Sequence, residues 1–115
     1  MRLYLARTLE GIRMYGPIYD LGSAVPEKVD DYIMEMEEHD WLLDNLVDEI
    51  NSACDTLLDD GDVDYFDVDK CNNLLSLLDN LENDFVPEYC KRLLLTLREY
   101  ATYAVENSTG IAIEL

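Results

Sequence analysis

Cationic side chains are almost missing from the middle of this sequence. Between Glu27 and Glu88 only Lys28 and Lys70 stand against 21 Asp and Glu residues, which leaves that segment at −19 of a total of −18. The flanks carry Arg2, Arg7, Arg13, Lys91, Arg92 and Arg98 against five carboxylates. Such a segment repels a phosphate backbone, so nucleic-acid binding by direct contact is excluded. Long apolar runs are missing as well. Nothing approaches the roughly 18 residues of a bilayer span, and the N-terminus has no uninterrupted apolar stretch of the signal-peptide kind. The expectation is a cytoplasmic protein without membrane contact.

Cysteine is sparse and unpaired. Cys54, Cys71 and Cys90 are odd in number and form no Cys-x-x-Cys pair, which argues against a disulfide framework or a zinc knuckle. Each sits among apolar neighbours at helical spacing, as a small core residue would. His39 is the only histidine, and no nucleophile motif surrounds any cysteine. Gly11, Gly16 and Gly22 lack the spacing of a phosphate-cradling loop. Carboxylate catalysis needs two acids whose surroundings drive their pKa values apart, and no such pair is marked. A chain that is no enzyme and needs no cofactor or metal is expected.

What is present is enough apolar material for a core. Hydrophobic residues make up 49% of 115, an ordinary share for a globular domain and too high for an acidic disordered tail. One domain over 1–115 is the default, with the acid on its folded surface. Leu3 and Leu5 alternate with Arg2, Tyr4 and Ala6, the pattern of a half-buried strand. After a turn at Glu10-Gly11, Ile12 to Tyr15 or Ile18 to Leu21 can return as a second strand, interrupted at Gly16-Pro17. Ile111, Ile113 and Leu115 alternate again, so the two ends are expected to meet in one small antiparallel sheet.

Between them the period lengthens. Val29, Ile33, Met36, Leu43, Val47, Ile50, Cys54 and Leu57 recur at helical steps behind Pro26, with Asp40 as the one polar interruption. This predicts either one helix over about 26–58 or two helices broken near His39-Asp40, with Asp40 as a cap. A loop from Asp59 to Phe66 follows. Another helix starts near Asp67, its N-cap, and buries Cys71, Leu74, Leu75, Leu78 and Leu81. The last begins at Pro87, carries Cys90, Leu93, Leu94, Leu97, Tyr100, Ala101, Ala104 and Val105 inward, and ends near Asn107. The fold class is α+β, with three or four mainly antiparallel helices on a small antiparallel sheet formed by the N- and C-terminal strands.

The loop with Asp60, Asp62, Asp64, Asp67 and Asp69 invites comparison with a calcium loop. Starting the register at Asp60 puts Tyr65 where the sharp-turn glycine belongs and Cys71 where the bidentate glutamate belongs. The pattern therefore fails at both defining positions. The acid elsewhere is more telling. Asp31, Glu35 and Glu38, and then Asp44, Asp48, Asp55 and Asp59, step by fours, threes and sevens, as residues along one side of a helix do. Ordinary helices mix both signs, because like-charged neighbours cost roughly 0.2–0.5 kcal/mol per pair. This segment forgoes that gain, and a basic partner would offset the repulsion.

Helical neighbours at such steps lie about 5–6 Å apart, comparable to the charge density along a nucleic-acid strand at about 3.4 Å of rise. The partner-binding candidates are Glu35, Glu37, Glu38, Asp44, Asp48, Asp55, Asp60, Asp62 and Asp64, with Trp41 and Tyr65 as aromatic anchors. Tyr32 and Phe66 also lie in the acidic region. In charge and size the chain is similar to phage and plasmid inhibitors of restriction or CRISPR nucleases, and to bacterial immunity proteins. The first likeness implies a nucleic-acid mimic that blocks a nuclease's DNA- or RNA-binding surface. The second implies a cap on a toxin's active site, and an ion-binding or structural role is a third reading.

Overall fold

The computed structural model describes residues 1–115. A four-stranded antiparallel sheet is built from β1 (Arg2–Ala6), β4 (Val29–Ile33), β5 (Val63–Phe66) and β6 (Ile111–Glu114) in the order β4-β1-β6-β5. The two ends of the sequence do pair at its centre, Leu3 opposite Ile113 and Leu5 opposite Ile111. A two-stranded hairpin, β2 (Met14–Tyr15) and β3 (Ile18–Tyr19), turns at Gly16 and stands apart from the main sheet. Four helices follow: α1 (Met36–Asn45), α2 (Val47–Cys54), α3 (Val68–Asp79) and α4 (Lys91–Asn107). The α+β class is as expected.

The alternation of the strands sorts their side chains into two layers. Leu3, Leu5, Phe66, Ile111, Ile113 and Leu115 join the buried faces of the helices in one core, with Cys54, Cys71 and Cys90 among them. On the opposite face Ala6, Tyr65 and Ala112 pack under Ile12 and Leu21 of the N-terminal hairpin segment. The sheet is thus covered on both sides. Asp67 caps α3 by accepting from the Lys70 amide, and α4 ends at Ser108 in a left-handed conformation, both close to expectation.

Three expectations are overturned. Residues 26–58 are neither one helix nor two broken at Asp40, because Pro26–Lys28 is a single 3₁₀ turn and Val29–Ile33 is an edge strand. Register decides this. Arg2 bonds Asp31 at 3.0 Å and Arg7 approaches Asp30 to 3.4 Å, so the strand joins β1 through charges supplied by the N-terminal flank. The break between the two true helices falls at the buried Leu46, and α1 is instead capped at Glu35, whose amide donates to Glu38 at 2.8 Å. The stretch 63–66, read as loop, is β5. Phe66 faces the helices while Tyr65 faces the hairpin segment, and that two-sided burial erases the alternation by which a strand announces itself.

Candidate functional site

Helices α1 and α2 and the connection from Asp55 to Asp62 carry most of the candidate acids. Asp44, Asp48, Asp55, Asp60 and Asp62 are exposed, and so are Glu35 and Glu37 at the start of α1. Negative charge there suits the helix N-terminus, so these two glutamates serve the helix as well as the surface. Neither of the two expected acidic sets runs along one side of a single helix. Asp31 lies in β4, Asp55 is the left-handed cap of α2 and Asp59 stands beyond the helix.

A different device brings the acids together. The ring of His39, buried in α1, has Nδ1 3.0 Å from Asp40 and Nε2 3.2 Å from Asp60, with the Leu115 carbonyl 3.1 Å from the same Nε2. One imidazole therefore ties the acidic side of α1 to the acidic loop and to the chain's last residue. The loop is further held by Asn51, which accepts from the Leu58 amide and the Thr56 hydroxyl at 2.8 Å each and donates to the Leu58 carbonyl at 3.0 Å. Asp64 accepts from the Leu57 amide at 2.9 Å and from its neighbour Tyr65 at 3.0 Å. Its carboxylate is committed within the fold.

Three candidates are withdrawn from the surface. Glu38 is only 3% exposed and accepts from the Tyr32 hydroxyl at 2.7 Å; burial first, and then this bond, push the Tyr32 phenol up to about 12. Trp41 is buried and packs edge-on against Phe85 with ring centroids 5.6 Å apart. Tyr65 is buried against Tyr19, and loss of solvent raises its phenol above the ordinary range. In their place the loop presents Leu57, 86% exposed, which the helical spacing had assigned to the core. The hydrogen bond that its backbone N–H donates to Asp64 and the adjoining Asn51 network hold it out. The one signal in the sequence was the run of acids on either side of the dileucine, Asp55 before it and Asp59-Asp60 after it.

No group of three His, Cys, Asp or Glu side chains is placed to hold a metal ion. The three thiols are buried, and desolvation raises Cys54 and Cys90 to about 11 and Cys71 to about 12, far from a nucleophile's range. No helix is long and apolar enough to cross a membrane.

The charge ledger of the acidic segment is one-sided. Of its 21 carboxylates only Asp30, Asp31 and Asp79 lie in ion pairs with Arg, and none pairs with Lys. Both lysines of the segment are spent on backbone: Lys28 donates to the Glu10 carbonyl and Lys70 to the Asp55 carbonyl. No family model, curated protein or solved structure matches this chain.

Proposed function

We propose that this chain is a non-enzymatic inhibitor that binds a basic protein through the acidic face of α1, α2 and the 55–62 connection. On this reading it acts as a nucleic-acid mimic, occupying the DNA- or RNA-binding surface of a nuclease of the restriction or CRISPR kind. The observation that carries the reading is the set of exposed carboxylates, Asp44, Asp48, Asp55, Asp60 and Asp62 among them, that no Lys or Arg pairs with. Uncompensated charge raises the free energy of the compact state, and a basic groove lowers it again. Complementarity of this sort speeds encounter and rejects wrong partners. The long axis of the molecule, 41 Å, corresponds to about 12 base pairs at roughly 3.4 Å of rise. The exposed Leu57, between Asp55 and Asp59-Asp60 in the sequence, supplies an apolar contact of the kind affinity requires.

The test is affinity capture from host lysate with low- and high-salt washes, followed by competition of the captured partner with duplex DNA and RNA. A basic nuclease subunit that salt and nucleic acid both release is the expected result. A toxin domain indifferent to nucleic acid would replace mimicry with immunity.

A further inference from the structure

The back of the sheet holds a cavity of about 200 Å³ between the β2–β3 hairpin and strands β1, β6 and β5. A single water claims roughly 30 Å³ of liquid volume, so a side chain of several heavy atoms can enter. Tyr4, Tyr15, Tyr19 and Tyr65 line it, four of the chain's eight tyrosines, with Ile18 and Val63 at an exposed apolar rim. No Lys or Arg lines it. Asp20 lies in its wall and makes no ion pair with any basic group, and Glu114 contributes a second carboxylate that touches only the N-terminal amine, at 3.2 Å. The carboxylates of Glu114, Asp31 and Asp20 add to burial in raising the Tyr4 phenol.

Aromatic rings beside the unpaired Asp20 carboxylate and an apolar wall describe a receptor for a cation on an aliphatic stem. The ring quadrupole attracts the charge, the carboxylate pairs with it and the wall takes the methylenes. The molecule already shows one such contact at this rim, where the Arg13 guanidinium lies 5.3 Å from the centre of the Tyr15 ring. We propose that this cavity is a binding pocket for a lysine or arginine side chain presented by a protein partner. The protein source rests on the reading of the chain as a binder of basic proteins; the preference for a cation rests on the cavity alone. The pocket gives that partner a point of recognition that diffuse surface charge does not supply.

Titrating the full chain with end-capped lysine, end-capped arginine and end-capped norleucine, followed by amide NMR shifts, tests it without the partner in hand. Saturable shifts centred on Tyr4, Tyr19 and Tyr65 are expected for the two cations and not for norleucine. Asp20→Asn is expected to weaken cation binding about fivefold, in the range that cation–π contacts and partly exposed ion pairs supply, while Glu106→Gln, an exposed change outside both the pocket and the acidic face, leaves it unchanged. Shifts spread over the acidic helices, equal binding of norleucine, or indifference to Asp20→Asn in a variant with unchanged circular dichroism would overturn the pocket. Spermidine binding more than tenfold tighter than either capped residue would overturn the protein source. A failed titration beside an intact partner complex refutes the pocket and leaves the acidic face standing.

Discussion

Tyr32 and Glu38 join the edge strand β4 to the first turn of α1 across a gap of six residues, and neither was marked by composition as different from its neighbours. Glu38 is buried with two donors, the Tyr32 hydroxyl and the Glu35 amide. Tyr32→Phe removes one of them and should lower stability by about 1–2 kcal/mol, read by urea unfolding, because a buried carboxylate then goes short of a partner. The thiols behave as a group. A maleimide probe should label none of Cys54, Cys71 and Cys90 in the native chain and all three once it is unfolded. Alkaline pH should act through the same burial. Folded-state values of about 11 for Cys54 and Cys90 and about 12 for Cys71 and Tyr32 exceed the ordinary 9.0 and 10.0, so the unfolded chain gives up these protons first. Their contribution is full below pH 9 and is lost as pH rises through 9 to 12, which a falling urea midpoint across that interval would show. A midpoint that stayed constant would mean the groups are solvated in the native state.

At the scale of elements, β6 depends on a glycine. A Cβ on Gly110 would overlap the Tyr65 ring and hydroxyl, so the aromatic side chain of β5 lies directly over the residue that leads into β6. Gly110→Ala should cost about 2 kcal/mol of stability, as overpacking does, and a thermal scan would register it. Elements whose signals are local were legible from the sequence. Asp67 announced α3, the leucine stripe announced α4 and the alternation of Ile111, Ile113 and Leu115 announced β6. Elements defined by distant partners were not. The apolar steps at Val29, Ile33 and Met36 imitate a helix, and only Arg2 of β1 and Arg7 just beyond it reveal a strand there. The candidate site divides the same way. Exposure of Asp44, Asp48, Asp55, Asp60 and Asp62 follows from charge, whereas the burial of Glu38, Trp41 and Tyr65 is set by Tyr32, Phe85 and Tyr19, which the order of residues does not place beside them.

For the molecule as a whole, self-repulsion is the adjustable quantity. Added salt screens it and should raise the melting temperature while weakening the complex with a basic partner, opposite signs from one cause. Asp44→Lys, Asp48→Lys and Asp62→Lys together take the net charge from −18 to −12. All three positions are exposed, and Asp44 lies in the last turn of α1, where a cation suits the helix end. Circular dichroism should be unchanged, the melting temperature equal or higher, and partner affinity at least tenfold lower. Parallel loss of helicity and binding would show the acids to be structural. The central pairing of β1 with β6 has a consequence of another kind, in time rather than energy. Leu3 and Ile113 pair across 110 residues of sequence, so β1 gains this neighbour only after a loop of that length has closed, a slow step among strand pairings. Until then Leu3 and Leu5 have one side unpaired, and the negative charge of the acidic segment keeps such unfinished molecules apart from one another.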